Sequence, residues 1–153
     1  MIPTDVMSLY CQHKNMVYRL SLSYTKSTAD AEDICQSVFL RLMERGAEIR
    51  PGKEKAWLAT VTVNLCRDLL RSARRRREEP LTDELSFETP EQAGIFDAVM
   101  ALGESERAAV YLHYFEGYST AETARILGIT QTAVTTRLGR ARKHLRSRLE
   151  AAI

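Results

Sequence analysis

Apolar residues recur at intervals of three and four positions through most of the chain, and no alternation typical of a strand extends over any length. The pattern therefore predicts an all-helical protein. The first helix is predicted from about Thr4 to Tyr24. Its apolar positions, which we expect to form core, are Val6, Leu9, Tyr10, Val17, Leu20 and Tyr24.

A second helix is predicted after Ser27 or Thr28, either of which is a suitable N-terminal cap. The positions predicted to be buried on it are Ala31, Ile34, Cys35, Val38, Phe39 and Leu42. Leu40 falls on the opposite face, close to Asp33 and Gln36. A leucine among polar residues on an outer face indicates a partner surface, although single surface leucines are also common in soluble proteins.

A loop at residues 46–54, with two glycines and a proline, precedes a long helix predicted over residues 55–77. Its expected core positions are Trp57, Leu58, Val61, Leu65 and Leu69. A second stripe on the same helix is polar and cationic and consists of Thr60, Asn64, Arg67, Arg71 and Arg74. Cations along one face suit a phosphate backbone, and an amide suits a base edge. The alternative is an arginine-rich helix end favoured by the helix dipole, but residues 71–77 hold five arginines, more than the dipole needs.

After residue 77 the charge of the chain changes from positive to negative. No lysine or arginine occurs from Glu78 to Glu106, where nine acidic residues lie. Pro80 and Pro90 bracket part of this stretch, so we predict a linker at residues 78–92 between two domains, residues 1–77 and 93–153.

The second domain is predicted to contain a helix-turn-helix. Two short helices come first, over residues 95–102 and 104–115, separated by Gly103; Val110, Tyr111 and Tyr114 are expected to pack on the helix-turn-helix. Ser119 and Glu122 form a capping box, which predicts a helix from Thr120 to Leu127.

Gly128 supplies the turn, and Thr130 can cap the last helix. The apolar positions of this helix are Val134, Leu138, Ala141, Leu145 and Leu149. The opposite face shows Thr132, Thr135, Thr136, Gly139, Arg140 and Lys143. Hydroxyls that reach base edges and cations that meet phosphate suit the major groove of DNA, whereas an ordinary helical hairpin would need no such face.

Composition narrows the function further. The chain has 153 residues and a net charge of only +2, which hides the segregation of acidic and basic segments. Its 3 cysteines have no metal-like spacing and suit a reducing cytosol, and no signal peptide or membrane-spanning run is evident. We therefore expect a cytoplasmic protein without a metal or other cofactor. We also expect no enzyme activity, since no nucleophile–base pair or glycine-rich phosphate loop is found.

The order of these segments resembles the bacterial RNA polymerase sigma factors of the sigma-70 family. The segments AEDICQSVFLRL and AWLATVTVNLCRDLLRSARRRR, the acidic stretch, and ERAAVYLHYFEGYSTAETARILGITQTAVTTRLGRARKHL are most similar to the extracytoplasmic-function (ECF) subfamily. The resemblance extends from the first helix to Leu149. It implies an all-α fold in which a region-2 helical bundle and a four-helix region-4 domain are joined by the linker.

The resemblance also implies roles for individual residues. Asp33, Gln36 and Leu40 match the segment that docks on the clamp helices of the largest polymerase subunit; a second contact is made with the flap. The stripe from Thr60 to Arg74, with the rest of residues 71–77, matches the segment that reads and opens the minus-ten element, and the loop at residues 46–54 matches the one that captures a flipped base. Contacts to the minus-thirty-five element would come from Thr132, Thr135, Thr136, Arg137, Arg140 and Lys143.

The resemblance also implies an anti-sigma protein as a partner.

Two positions depart from the family pattern. Gly103 replaces a common proline, and Gly139 replaces a larger residue inside the recognition helix, where glycine costs about 1 kcal/mol.

Two other functions remain open from the residues alone. A dimeric repressor or activator would explain the helix-turn-helix but not the arginine stripe or the acidic linker. An RNA-binding antiterminator would explain the arginine run. Co-purification with core polymerase separates the sigma-factor hypothesis from both.

Overall fold

The computed structural model describes residues 3–76 and 98–151 of the chain, and these residues are helical apart from short connections. The predicted linker, Arg77 and the start of the helix predicted at residue 95 lie outside the described residues. No strand occurs within residues 3–76 and 98–151, as the sequence pattern predicts. The chain divides into two compact units, Met1–Asp83 and Glu84–Ile153.

The first unit contains three helices, α1 (Pro3–Thr25), α2 (Thr28–Arg45) and α3 (Glu54–Arg76), with a 3-10 turn at Gly46–Glu48. The two residues between α1 and α2 make a sharp corner, in which Lys26 has a φ of 55°. Ser27 is the N-terminal cap of α2, and its side chain accepts a hydrogen bond from the Asp30 amide at 3.2 Å. The Thr25 hydroxyl oxygen accepts from the Ser27 amide at 3.3 Å, which closes the corner.

The core of this unit follows the predicted stripes on α1 and α2. Val6, Val17, Leu20 and Tyr24 are buried, as are Ala31, Ile34, Cys35, Val38 and Leu42. Leu9, Tyr10 and Phe39 are only partly buried, and the rings of Tyr10 and Phe39 pack with centroids 4.7 Å apart.

The predicted core face of α3 is wrong by about one residue of helical rotation. Only Leu58 of that set is fully buried; Trp57, Val61, Leu65 and Leu69 are half-buried. The buried face consists instead of Leu58, Ala59, Thr62, Val63 and Cys66. Because α3 packs against both α1 and α2, its buried face includes small residues, Ala59 and Cys66, as well as larger ones such as Leu58.

The second unit contains α4 (Glu104–Val110), a π-helical turn (Tyr111–Phe115), α5 (Thr120–Leu127) and α6 (Gln131–Ala151); residues 98–100 are also helical. The sequence predicted a single helix over residues 104–115, and the structure has a helical segment with these bounds, but its last five residues form a π turn instead of an α-helix. In the π turn the Glu116 amide donates to the Tyr111 carbonyl at 3.2 Å. The turn is held by the Tyr111 hydroxyl, which donates to Glu116 at 2.6 Å, and by stacking of Tyr111 on Phe115.

The helix-turn-helix has the predicted boundaries. The capping box is complete, since the Glu122 amide donates to Ser119 and the Ser119 amide donates to Glu122, each at 3.1 Å. Gly128 has a φ of 68°, and the Thr130 hydroxyl accepts from the Ala133 amide at 3.1 Å. Val110 and Tyr111 are buried as predicted. Tyr114 is 50% exposed, and its contact with the helix-turn-helix is a hydrogen bond that its hydroxyl accepts from Arg142 of α6 at 2.8 Å.

Candidate nucleic-acid and partner interfaces

The outer face of α2 presents the three residues predicted to dock on a partner. Asp33, Gln36 and Leu40 are all exposed, and the Leu40 side chain is 58% exposed. Met43, three positions after Leu40 and therefore on the same face, is 59% exposed. Met43 was missed from the sequence, although its spacing from Leu40 was a usable signal. The two residues form an apolar patch bordered by polar groups, which is typical of a protein interaction site.

A groove of about 330 Å³ lies between α1 and α2 beside this face. Tyr10, Tyr18 and Cys35 supply much of its lining, and Gln36 connects it to the docking face. Burial, with a smaller effect from the Glu32 carboxylate, raises the pKa of the Cys35 thiol to about 11. Burial also raises the pKa of Cys66, to about 12. Both thiols are therefore protonated at neutral pH and are poor nucleophiles.

The polar stripe of α3 is not uniformly exposed, because the helix is rotated from the predicted orientation. Asn64 and Arg71 are exposed, whereas Thr60 and Arg67 are half-buried at the flank. The Thr60 hydroxyl donates to the Ala56 carbonyl at 3.0 Å. Arg74 belongs to α3, but its side chain lies outside the part that the structure describes.

Two residues near this stripe, Asp68 and Trp57, were not predicted to be part of it; Trp57 was predicted to be core. Asp68 lies 3.8 Å from Arg71, but both side chains are more than half exposed, so the pair contributes little to stability. Trp57 precedes Asn64 by seven positions and therefore shares its face; it is half-buried. The loop at residues 46–54 contributes two exposed cations, Arg50 and Lys53, next to Gly52, whose φ is 83°.

The recognition helix α6 exposes the face that the sequence predicted. Its buried side consists of Val134, Leu138 and Ala141, while Leu145 is half-buried. The exposed side chains on the opposite face are Thr132, Thr135, Thr136, Arg140 and Lys143, and Arg137 is half-buried at the edge. A Cβ atom added at Gly139 would meet nothing within 4 Å in the described structure. This arrangement places hydroxyls and cations where they can enter a groove of DNA.

Neither a metal cluster nor a membrane helix is found in residues 3–76 and 98–151. No group of three His, Cys, Asp or Glu side chains there is close enough to hold a metal ion. None of the described helices is both long and apolar enough to cross a membrane.

Comparison with known proteins identifies the family. Residues 9–76 match the model of Sigma-70 region 2, and residues 94–145 match that of Sigma-70, region 4. The chain is 35% identical to the ECF RNA polymerase sigma factor SigL of Mycobacterium tuberculosis, over 94% of this chain and 88% of SigL. The chain belongs to the ECF sigma factors of the sigma-70 family. As a member it is a promoter-recognising factor of transcription initiation.

Other similarities agree with this assignment. The chain is 33% identical to the probable RNA polymerase sigma factor RfaY of Xanthomonas campestris, covering 91% of this chain but only 38% of RfaY. Its fold is similar to that of the sigma factor RpoE of Bartonella quintana in complex with the anti-sigma factor NepR, with a TM-score of 0.75, 22% identity and coverage of 96% and 95% of the two chains. CnrH in complex with the cytosolic domain of CnrY is similar with a TM-score of 0.67 and 26% identity, over 95% of this chain and 88% of CnrH.

Proposed function

We propose that this sigma factor binds core polymerase through α2, reads the minus-thirty-five element with α6, and opens the minus-ten element with α3. The observation that carries the proposal is the exposed face of α6. Hydroxyl and cationic side chains cover it, and the apolar stripe on the opposite side is buried. A helix held in this way can enter the major groove without disturbing its own packing.

The docking face on α2 has the composition of a small interaction centre. Leu40 and Met43 provide apolar area, and Asp33 and Gln36 provide polar contacts at its edge. Apolar residues surrounded by polar groups are the arrangement from which interfaces draw most of their binding energy. We assign this face to the clamp helices of the largest subunit.

The second unit has an exposed aromatic ring that suits the flap of the polymerase. Phe115 is 39% exposed and lies in the π turn. Aromatic residues are enriched in interfaces because they bury a large area with few rotatable bonds. The DNA-reading face belongs to α6, so this ring leaves it unobstructed.

On α3, Asn64 and Arg71 divide the work of promoter opening. An arginine holds the phosphate backbone of any sequence, whereas an amide offers both a donor and an acceptor to the edge of an extruded base. The half-buried Trp57 lies on the same face of α3 as Asn64, about two helical turns away, and offers a ring on which a base can stack.

We further propose that an anti-sigma protein controls this factor in the cytoplasm by covering the α2 face, the α6 face, or both. The similarity to CnrH, which binds the cytosolic domain of CnrY, supports this. Such control acts by competition, so the inhibitor and core polymerase should exclude each other. The action proposed throughout is binding rather than catalysis.

The test is transcription by core polymerase with and without the full chain on a library of promoter sequences, followed by sequencing of the transcripts. We expect new start sites that share two upstream elements. Failure to associate with core polymerase would contradict the proposal and favour a dimeric repressor or an RNA-binding protein.

A further inference from the structure

Two polar contacts tie the recognition helix to the segment that precedes the helix-turn-helix. The Arg142 guanidinium donates from Nη1 to the Tyr114 hydroxyl at 2.8 Å. On the other side, His144 Nδ1 donates to Glu106 Oε2 at 3.0 Å. Arg142 and His144 lie on either side of Lys143, within the turn of α6 that follows Arg140.

The two contacts hold opposite flanks of the helix. Arg142 and His144 are two positions apart, so they project about 200° from each other, with the buried stripe that includes Ala141 between them. Their partners, Glu106 and Tyr114, both belong to the continuous helical segment of α4 and the π turn.

The π turn is what brings Tyr114 to this position. A π turn holds about one residue more than an α turn, so it changes the direction of the side chains after it. Tyr111 is buried and its hydroxyl donates to Glu116 within the turn, whereas the Tyr114 hydroxyl reaches Arg142 of α6. Glu106 is buried, and its carboxylate is therefore held in one place.

Directional contacts of this kind fix a degree of freedom that the apolar stripe does not. Apolar burial is not directional, whereas hydrogen bonds lose strength over a few tenths of an ångström. A helix has a radius of about 5 Å with its side chains, so a roll of about 20° displaces the reading side chains by about 2 Å. A displacement of that size breaks a hydrogen bond to a base.

We propose that Tyr114 and Glu106 are positioning residues that set the roll of α6, and thereby the base preference of the factor, without touching DNA. This rests on the proposed function of α6 as the reader of the minus-thirty-five element. A factor whose reading helix is free to roll should bind DNA as well as before but discriminate less between sequences.

The experiment uses the full chain assembled with core polymerase. Binding is measured to the upstream element that the wild type selects from random duplexes, and to a scrambled duplex of equal length. Tyr114→Phe keeps the ring and all charges, and the residue is half exposed, so the variant should fold. We expect it to lower the ratio of the two affinities about three- to tenfold, the effect of losing one hydrogen bond, with scrambled binding unchanged within about twofold.

Two further variants separate positioning from other roles. Glu106→Gln retains an acceptor for His144 and should keep the wild-type ratio, whereas Glu106→Ala should lower it. Tyr114→Phe combined with Arg142→Met should be no worse in this ratio than Arg142→Met alone, because the two residues act as a pair.

The experiment distinguishes failure of the proposed function of α6 from failure of the positioning role. If the wild type selects no element, the proposed function of α6 fails. If the wild type selects an element and Tyr114→Phe keeps the wild-type ratio, the positioning role is overturned, and the contact only stabilises the domain.

Discussion

Promoter opening offers a test in which two exposed residues of α3, seven positions apart on one face, should behave differently. Arg71 and Asn64 are both exposed on the same helix, but only the arginine can hold a phosphate by charge. Arg71→Ala should weaken binding to every promoter. Asn64→Ala should leave closed-complex affinity unchanged within about twofold and reduce strand opening, because its amide acts only on a base that has left the stack.

The magnitudes depend on the number of contacts. One lost phosphate contact lowers the slope of log K against log salt by about 0.9, so the wild type should lose about 3.5-fold more affinity than Arg71→Ala between 50 and 200 mM salt. Asp68 provides a matched control, since its carboxylate lies 3.8 Å from Arg71 and opposes the phosphates. Asp68→Asn should shift affinity in the opposite direction. Losing one amide hydrogen bond should reduce opening about fivefold.

Permanganate footprinting of unpaired thymines, on duplex and on premelted templates, measures opening directly. A template mismatched across the minus-ten element should restore part of the Asn64→Ala defect, because the cost of unpairing has been removed, and should restore none of the Arg71→Ala defect. Equal opening of duplex DNA by wild type and Asn64→Ala would contradict this division of roles and leave base capture to the loop at residues 46–54.

Three further predictions concern the other surfaces. Leu40→Asp should abolish pull-down of core polymerase without changing the circular dichroism spectrum, whereas Met7→Asp, on a comparably exposed residue of α1, should not; normal pull-down by Leu40→Asp would remove the docking assignment. Arg140→Ala should reduce binding in gel-shift titrations by about 1–3 kcal/mol and relax preference at one base pair if the arginine meets a base, or weaken all sequences evenly if it meets phosphate; no change would exclude both contacts. Gly139→Ala should raise the free energy of unfolding in urea by about 1 kcal/mol, since the added methyl group meets nothing within 4 Å, and a decrease would show hidden crowding.

The helix-turn-helix was predictable because its signals are local. Ser119, Gly128 and Thr130 determine where helices begin and end through contacts within a few residues. The exposed face of α6 followed from those boundaries and from helical periodicity.

The face of α3 was not predictable in the same way, since burial there depends on where two other helices approach. Small residues such as Ala59 and Cys66 are fully buried there, and a prediction from the large apolar residues overlooks them. The π turn was missed for a similar reason. It depends on the contact of Tyr111 with Glu116, which no helical periodicity reveals. The outward position of Tyr114 is a result of that turn.

Position 139 has an evolutionary consequence. Mutational paths to a new binding preference are usually constrained because changes in a reading surface also cost stability. At Gly139 an alanine should stabilise the fold, because the added Cβ atom meets no neighbour within 4 Å and alanine is a better helix former than glycine. Under the proposed role of α6 in reading the minus-thirty-five element, a duplicated copy of this gene could therefore change this surface by a single substitution to alanine, without a compensating change in the core.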